Sequence, residues 1–218
     1  MLTPFQKRAL AVLERTPVFG DLAQVLGPWI YACTVRKGQM LFQEGDPAEK
    51  LFALVDGHAR IYCSEHSRTS VSLDHVAPGE VVGETGILDA GPRRYGVECL
   101  ENSEFAAIER RHVVRAVESD PTAGRALSTV ALERMERLIE RARGEALLSI
   151  EERIEQALDD LSRRLGESVG RGVQIRVCQQ HLADLLGLSR SSISRVLTSP
   201  RMQHRVQLGR GRIVLLTR

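Results

Sequence analysis

Apolar residues recur at helical spacing near both ends of the chain and at strand-like spacing between them. Residues 5–13 form a short amphipathic stretch, which predicts a first helix ahead of a connector at residues 17–19. After Trp29 the apolar runs shorten and glycines separate them, a rhythm typical of an antiparallel roll or barrel rather than of alternating strands and helices. The pattern therefore predicts an α+β chain with a β-roll in its first half.

The strand-like region carries one strong hairpin signal. Residues 51–55 and 59–63 are β-type runs on either side of Asp56-Gly57, a dipeptide that favours a tight turn between paired strands. Residues 71–76 and 97–108 are predicted to extend the same sheet system.

Residues 179–198 predict a helix-turn-helix. Small Ala183 lets two short helices approach, and Gly187 permits the positive φ of a tight turn. Ser189 stands at the N-cap of the second helix, which starts at about Arg190. The apolar contacts of the pair are assigned to Leu182, Leu186, Leu188, Ile193 and Val196.

The second helix presents polar side chains away from its core. Arginine makes two hydrogen bonds to a guanine edge in the major groove, and serine meets either a base or a phosphate. The predicted DNA-contacting residues are Gln179, Ser189, Arg190, Ser191, Ser194 and Arg195, with Arg176, Arg210 and Arg212 on the DNA backbone. An ordinary helical hairpin with solvated arginines is the alternative.

Proline ends this helix and a wing follows. Pro200 biases Ser199 away from helical geometry, so the helix should stop there. Residues 206–208 and 212–216 flank a Gly209-Arg210-Gly211 turn and predict a β-wing. Its arginines suit phosphate contacts, and a solvated turn is the alternative.

Charge is distributed unevenly along the chain. The formal net charge is +2, but residues 170–218 hold nine arginines against one acid, Asp184, so they carry +8 and the remainder carries −6. Neutralising phosphates releases counterions, so a basic module joined to an acidic one is typical of a polyanion-binding domain on a regulatory body. A chance excess of surface arginine is the alternative.

Hydropathy and the placement of the cysteines limit the classes of protein to which the chain can belong. No apolar run approaches the roughly 20 residues that span a bilayer, and the start lacks a signal-peptide core, so we expect a cytoplasmic protein with no membrane partner. The four cysteines are scattered singly, without the clustering of a metal site. We therefore expect reduced, mostly buried thiols and no metal.

A coiled-coil pattern precedes the helix-turn-helix. Between residues 123 and 146, apolar positions step by four and three. The predicted seam residues are Leu132, Met135, Leu138, Ile139 and Ala142, continued by Ser128 and Ala146. A helix packed on its own roll also shows one apolar stripe, but a two-fold dimer would place two recognition helices about one DNA turn apart. We therefore favour a homodimer, with a hinge near residues 147–150 and a further helix over residues 151–165.

Three blocks occur in order: KGQMLFQEGDPAEKLFALVDGHARIY, PGEVVGETGILDAGPRR and the helix-turn-helix. In order and spacing they resemble the cyclic AMP receptor protein and fumarate–nitrate reduction regulator family of bacterial transcription factors, over roughly residues 19–216. The resemblance implies a cyclic-nucleotide-binding-type antiparallel β-roll (residues 1–120), a dimerisation helix (121–146) and a winged helix-turn-helix (147–218). It also implies RNA polymerase as a further partner.

The second block resembles the family's phosphate-binding cassette. Backbone N–H groups exposed by glycine attract an anion, and a fixed arginine supplies a bidentate charge. By resemblance, Glu84 would accept from a ribose hydroxyl and Arg94 would hold a cyclic phosphate. The candidate effector-binding residues are Gly83, Glu84, Thr85, Arg94 and Tyr95. A plain ion pair of Glu84 with Arg94, or with the roll, is the alternative.

Departures from the family pattern argue against cyclic AMP. Tyr95 stands where the family usually has a serine or threonine that bonds the phosphate, and it is far bulkier. The positions that read adenine in cyclic-AMP responders fall at Leu138 and Ile139, which donate no hydrogen bond. Losing several such bonds at about 1 kcal/mol each removes orders of magnitude in affinity. The sequence therefore indicates no cofactor with certainty. If the protein has a small-molecule effector, a cyclic nucleotide is the disfavoured candidate.

Other sensing chemistries are weaker still. An iron–sulfur cluster needs grouped cysteines near the N-terminus, and none precedes Cys33. Haem ligands are offered by His58, His66, His75 and Cys63, but surface or core histidines are commoner. A redox switch at Cys63 or Cys99 would require exposed thiols of low pKa.

The leading hypothesis is a homodimeric, sequence-specific DNA-binding regulator that is not an enzyme. A cyclic-AMP-responsive regulator, and a ligand-binding module whose winged domain contacts protein, are the alternatives. No nucleophile elbow, Walker loop or paired catalytic carboxylate is visible, so no catalytic residue is assigned. Family members often carry glutamate at the position of Ser191, so the DNA site should depart from the usual half-site at one base.

Overall fold

The computed structural model describes residues 2–14, 25–65 and 69–216 of the 218-residue chain. The chain divides into two compact units. The first comprises Met1–Ser64 and Asp74–Leu138, and the second comprises Glu65–Leu73 and Ile139–Arg218. The predicted connector at residues 17–19 lies outside the described residues, and the division at residues 120 and 146 stays a prediction.

The first unit begins with a capped helix, α1 (Pro4–Leu13), which confirms the predicted amphipathic stretch. The Gln6 backbone N–H donates to Thr3 Oγ1 at 3.2 Å, and the Thr3 N–H donates to Gln6 Oε1 at 2.9 Å. This reciprocal cap satisfies two otherwise unpaired amides. Ala9 and Leu13 on the inner face of α1 are fully buried.

Two four-stranded sheets, ordered β1-β8-β3-β6 and β2-β7-β4-β5, form a roll. Most of the roll belongs to the first unit, but Glu65 and residues 69–73 belong to the second. The strands of the roll are β1 (Tyr31–Val35), β2 (Met40–Phe42), β3 (Lys50–Asp56), β4 (Ala59–Glu65), β5 (Thr69–Val76), β6 (Val81–Val82), β7 (Gly96–Cys99) and β8 (Ser103–Glu109). Two helices follow β8: α2 (Arg110–Ser119) and α3 (Pro121–Leu147). A single 3₁₀ turn, Gly27–Trp29, precedes β1.

The Asp56-Gly57 turn does not make a hairpin. β3 pairs with β8 and β6, whereas β4 pairs with β7, so the turn carries the chain from one sheet to the other and the hairpin prediction is wrong. Gly57 has a φ of +104°, and a Cβ there would lie 2.7 Å from the Ser103 Cα, so only glycine fits the crossing. Residues 97–108 likewise divide between β7 and β8, in different sheets.

β3 is buried on both faces, which explains its unbroken apolar run. Leu51 and Val55 pack in a core shared with the helices α1, α2 and α3. Phe52 points the other way, with ring centroids 5.9 Å from Phe42 and 6.3 Å from Phe105. One face of β3 therefore packs against the helices, and its other face packs against the aromatic side chains inside the roll.

α3 is a 27-residue helix with two distinct apolar surfaces. Ala123 and Leu127, near its start, are buried in the core of the first unit. The predicted seam residues lie elsewhere on the helix: Leu132 is 52% exposed, Met135 48%, Leu138 38% and Ile139 54%, and Ala142 is also exposed. The seam is therefore separate from the stripe that packs on the roll. None of the described helices is both long enough and apolar enough to cross a bilayer.

The second unit contains a helical core and a four-stranded sheet. Its helices are α4 (Ile150–Leu165), α5 (Gln179–Leu186), α6 (Arg190–Leu197) and α7 (Pro200–Gln203). Its strands are β9 (Glu167–Val169), β10 (Gly172–Ile175), β11 (Val206–Gly209) and β12 (Arg212–Leu216). The antiparallel order β11-β12-β10-β9 confirms the predicted wing and adds two strands that the sequence did not indicate.

A cap marks the predicted hinge between α3 and α4. α3 ends at Leu147, and Ser149 caps α4: its Oγ accepts from the Glu152 N–H at 3.3 Å, and the Glu152 carboxylate accepts from the Ser149 N–H at 2.9 Å. The capping residue has extended backbone geometry and ends one helix while starting the next.

The recognition helix α6 stops at Leu197, as Pro200 predicts. The Thr198 hydroxyl donates to the Ser194 carbonyl at 2.8 Å and satisfies one terminal acceptor. Pro200 then starts α7, because its fixed φ and missing N–H suit the first position of a helix. Met202 in α7 is only 2% exposed, so this unpredicted helix anchors the chain beyond α6 in the core of the second unit.

Candidate nucleic-acid interface and effector cassette

The turn between α5 and α6 has the predicted geometry. Gly187 ends α5 with a φ of +63°, in the left-handed region that favours glycine. Ser189 Oγ accepts from the Ser192 N–H at 3.1 Å and caps α6. Ile193 and Val196 are buried in the core that α6 shares with α5, so the opposite face of α6 is held outward.

The side chains predicted to contact DNA lie on that outward face. Arg190, Ser191 and Arg195 are exposed, and Ser194 is partly exposed. Ser191 Oγ lies 2.9 Å from Ser189 Oγ, so these hydroxyls share a hydrogen bond at the start of the helix. Two guanidinium groups and a row of hydroxyls therefore face solvent together.

The remaining predicted contacts lie on α5 and the wing. Gln179 is the first residue of α5 and is partly exposed. Arg210 lies exposed in the turn between β11 and β12. Arg212 starts β12, and its Nη1 lies 3.3 Å from Gln174 Oε1, which steadies the side chain beside the wing turn.

Three other arginines of the basic tail are already paired. Arg201 and Arg205 contact opposite carboxylate oxygens of Glu155 on α4, at 3.0 Å and 2.6 Å. Arg176, predicted to contact the DNA backbone, lies 2.9 Å from Glu167. Within the described parts of the chain, the tail arginines that have no ion pair are Arg190, Arg195, Arg210 and Arg212. The uncompensated charge therefore belongs to α6 and the wing.

The cassette in the roll is occupied by its own tyrosine. Tyr95 is 6% exposed, and its ring centroid lies 5.9 Å from that of Phe42. Its hydroxyl donates to the Glu84 carboxylate at 2.6 Å and accepts from the Gly83 N–H at 2.9 Å. It also accepts from Arg134 Nη1 at 3.0 Å. Tyr95 therefore fills the polar centre of the cassette.

Arg134 of α3 is the buried cation of this cluster. Its Nη1 lies 2.5 Å from Glu84 Oε1, and its Nη2 donates to the Val81 carbonyl at 2.7 Å. Burial opposes the guanidinium charge, but Tyr95 and Glu84 outweigh burial and raise the pKa of Arg134. Burial also raises the pKa of Tyr95, so its hydroxyl keeps the proton that it donates.

Arg93, and not Arg94, is the buried arginine beside the cassette. Arg93 is 3% exposed, its Nη1 donates to the Gly83 carbonyl at 2.7 Å, and its Nη2 donates to the Lys50 carbonyl. The Arg94 side chain is exposed. Glu84 takes Arg134 as its cation, so the alternative of a Glu84–Arg94 pair is wrong. A contact of Arg94 with an anionic ligand stays a prediction.

Two further features bear on the predicted effector site. Thr85 Oγ1 is buried and has no hydrogen-bond partner within the described structure. Leu138 and Ile139, the positions aligned with the adenine-reading pair, are exposed apolar side chains of α3. They offer no hydrogen bond to a base, as the sequence indicated.

The alternative sensing chemistries gain no support. His58 Nε2 and His75 Nδ1 lie 2.7 Å apart in the interior of the roll, and His66 lies outside the described residues. Burial raises the pKa of Cys99 to about 11 and also raises that of Cys63. A reactive redox thiol usually has a lowered pKa, so these shifts do not favour a redox switch. Among the residues that the structure describes, no group of three metal-ligating side chains is found.

The arginines of α3 were missed by sequence reasoning. Arg134, Arg137 and Arg141 recur at spacings of three and four, so they share one face of the helix. Arg137 Nε lies 3.0 Å from Asp74 Oδ2, and Arg141 Nη1 donates to the Leu73 carbonyl at 2.5 Å. The spacing was a visible signal, but nothing in the sequence showed which acids and carbonyls these cations meet.

The roll and the helix-turn-helix each match a known protein family. The cyclic nucleotide-binding domain family matches residues 32–120, and the Crp-like helix-turn-helix domain family matches residues 152–218. The CRP-like protein Clp of Xanthomonas campestris pv. campestris is 32% identical over 164 residues, which cover 72% of this chain and 71% of Clp. The cyclic AMP receptor protein of Thermus thermophilus is 28% identical over 177 residues, covering 81% and 80%.

Solved structures show the same fold. The CLP of Xanthomonas campestris, described as a c-di-GMP responsive global regulator, aligns with a TM-score of 0.73 and 26% identity over 91% of this chain and 99% of that chain. FixK2 from Bradyrhizobium japonicum aligns with a TM-score of 0.75 and 23% identity over 85% and 92%. These likenesses confirm the predicted α+β architecture of roll, long helix and winged helix-turn-helix.

Proposed function

Because the chain belongs to the cyclic AMP receptor protein and fumarate–nitrate reduction regulator family of DNA-binding transcription regulators, we propose that it binds palindromic duplex DNA as a homodimer, through α6 and the wing. One observation carries the proposal. Arg190 and Arg195 stand exposed, without ion pairs in the described structure, on a helix whose other face is buried. Such helices enter the major groove, where arginine reads guanine.

The second subunit is proposed from the exposed seam of α3. Leu132, Met135 and Ile139 are each about half exposed, although their spacing is that of a coiled-coil contact. A contiguous apolar stripe of this kind marks an association surface. Pairing two copies along α3 would bury the stripe and supply two recognition helices for the two halves of a palindrome.

The start of α6 sets the proposed base preference. Ser191 Oγ is hydrogen-bonded to Ser189 Oγ, and a hydroxyl brings no negative charge to the groove. A carboxylate at this place would accept from a cytosine amino group, which a neutral hydroxyl does less strongly. We therefore expect a half-site that differs at one base from the site read by relatives with glutamate there.

Cyclic AMP is proposed not to be the effector. The cyclic nucleotide-binding domain is a module for small-molecule effectors, but Tyr95 and Glu84 already bond each other inside it. The Xanthomonas relative is described as c-di-GMP responsive, so cyclic di-GMP is the second nucleotide to test. As a DNA-bound regulator, the protein would act in the cytoplasm and engage RNA polymerase.

Selection of bound oligonucleotides from a random duplex pool, followed by affinity measurement at several salt concentrations, tests the proposal. A dimer that neutralises six to ten phosphates should lose about a thousandfold or more in affinity between 50 mM and 200 mM salt. The selected sequences should form a palindrome with half-sites about one helical turn apart. Sedimentation should show two chains per complex.

The double variant Arg190→Ala/Arg195→Ala is the matched control. It leaves the buried face of α6 intact and should abolish selection. A monomer that binds no DNA at low salt, or DNA affinity that is insensitive to salt, would contradict the proposal. The second outcome would favour a winged domain that contacts protein.

A further inference from the structure

The hydroxyl of Tyr95 makes three contacts of the kinds that a polar ligand makes with a protein. An anion or ligand oxygen accepts from a backbone N–H and a guanidinium, and a ligand hydroxyl donates to a carboxylate. Tyr95 does all three, with Gly83, Arg134 and Glu84 at 2.9, 3.0 and 2.6 Å. The Tyr95 hydroxyl thus satisfies three polar groups that would otherwise be available to a ligand.

The cluster leaves little charge for an outside ligand. Both oxygens of Glu84 are used, one by Arg134 and the other by Tyr95. The Glu84 and Arg134 side chains are only 6% and 9% exposed. An entering ligand would have to displace a buried phenol and separate a buried ion pair, and each step strands a polar group unless the ligand replaces every bond.

The cluster also connects the cassette to the helix that carries the dimer seam. Arg134 binds both Glu84 and the Val81 carbonyl, and one turn later Arg137 binds Asp74. α3 continues from there to Leu147, two residues before Ser149 caps α4. A side chain that fixes Arg134 therefore fixes the part of α3 on which pairing of two copies depends.

We propose that Tyr95 is a built-in substitute for the effector, which holds the cassette and α3 together so that the regulator binds its operator without any small molecule. The inference rests on the proposed DNA-binding function and deepens it. It differs from a merely empty or degenerate pocket, because it assigns the Tyr95 hydroxyl a positive role. Removal of that single oxygen should therefore weaken DNA binding.

The first test compares two tyrosine variants of the full chain on the selected operator. Tyr95→Phe keeps the ring and removes the hydroxyl. Tyr31→Phe is the matched control, because the Tyr31 hydroxyl also donates to a carboxylate, that of Glu109, at 2.6 Å, but on the exposed surface of the roll. A hydrogen bond to a charged group corresponds to roughly tenfold to a hundredfold in an equilibrium, so Tyr95→Phe should bind at least about tenfold more weakly. Tyr31→Phe should bind like the unmodified protein.

Chemical rescue separates the hydroxyl from the space that the ring fills. In Tyr95→Ala, added phenol should restore operator affinity, whereas benzene, which fills the same cavity without a hydroxyl, should not. Thermal unfolding of each variant, with and without these molecules, reports whether the fold is retained. Restoration by benzene as well as phenol would show that only packing is required and would overturn the inference.

Titration of the unmodified protein with cyclic AMP, cyclic GMP and cyclic di-GMP needs no variant. The inference expects operator affinity to change by less than about twofold at saturating nucleotide. It is overturned if any of these nucleotides raises the affinity tenfold, or if Tyr95→Phe binds as tightly as the unmodified protein. If the unmodified protein selects no operator, the proposed DNA-binding function itself has failed.

Discussion

The charged side chains of the recognition helix and of the cassette in the roll differ in exposure and in ion pairing. Arg190 and Arg195 on α6 are exposed and have no ion pair in the described structure. Glu84 and Arg134 in the roll are buried and bound to each other and to Tyr95. Exposed charges are solvated and remain free for a partner, whereas buried charges must find their partners inside the protein. One region therefore leaves its cations accessible to an external anion, and the other satisfies its charges within the protein.

Breaking the internal pair should give the largest effect on stability. Arg134→Met keeps most of the side-chain volume but leaves Glu84 buried without its cation. Removing one member of a buried ion pair costs about 3–5 kcal/mol. The free energy of unfolding, measured by urea denaturation monitored by circular dichroism, should fall by that amount.

The double variant Glu84→Leu/Arg134→Met tests the cause. It removes both charges, so it should recover a large part of the lost stability. If the double variant is as unstable as the sum of the two single variants, the two charges are not coupled and the description of the cassette as self-satisfied is wrong.

Only part of the Tyr95–Glu84–Arg134 cluster could be predicted from the sequence. The resemblance to the family drew attention to Tyr95, because serine or threonine usually stands at that position; its role as an effector-binding residue stays a prediction. Arg134 was not singled out, because its role depends on the rotation of α3 against the roll, which no local pattern specifies. Arg93 and Arg94 are adjacent, and only the folded loop decides which of them is buried.

Loss of a base contact should be the next largest effect. Arg195→Ala removes an exposed guanidinium and should weaken binding to the selected operator by about 1–3 kcal/mol, if Arg195 reads a base. Fluorescence anisotropy with the operator and with unrelated duplexes measures this loss. A loss that is equal on all duplexes would assign Arg195 to the phosphate backbone instead.

Arg201→Ala is the control for that measurement. Arg201 belongs to the same basic tail, but it is bound to Glu155. Its removal should leave the preference for the operator over unrelated DNA unchanged. An equal loss of preference in both variants would show that ion pairing does not distinguish the two groups of arginines.

Removal of the cap of α6 should cost less. Ser189→Ala deletes the bond from Ser189 Oγ to the Ser192 N–H and should reduce the free energy of unfolding of the second unit by about 1 kcal/mol. Ser189→Asp retains a capping oxygen and should keep that stability, but its charge should weaken DNA binding. If both variants bind the operator normally, the start of α6 does not face DNA.

The geometry of the helix-turn-helix was more predictable than that of the cassette, for a physical reason. Gly187, Ser189 and Pro200 act through local backbone geometry, so their effects on α5, α6 and the end of α6 are readable from neighbouring residues. The prediction of a hairpin at Gly57 was wrong, because a turn signal does not specify which sheet the next strand joins. Long-range choices of this kind are set by packing and not by the turn.

The smallest expected effect concerns an arginine that is paired on the surface. Arg176 and Glu167 are each about half exposed, and such pairs contribute about 0.2–1 kcal/mol. Glu167→Gln should remove this ion pair of Arg176 and tighten operator binding about twofold at low salt, a gain that disappears at high salt because exposed charges are screened. Glu140→Gln is the matched control, since Glu140 pairs with exposed Arg143 on α3 and its loss changes the net charge equally. A gain in Glu167→Gln alone would show that the Glu167 charge acts on DNA binding through Arg176, whereas equal gains in both variants would reduce the effect to net charge.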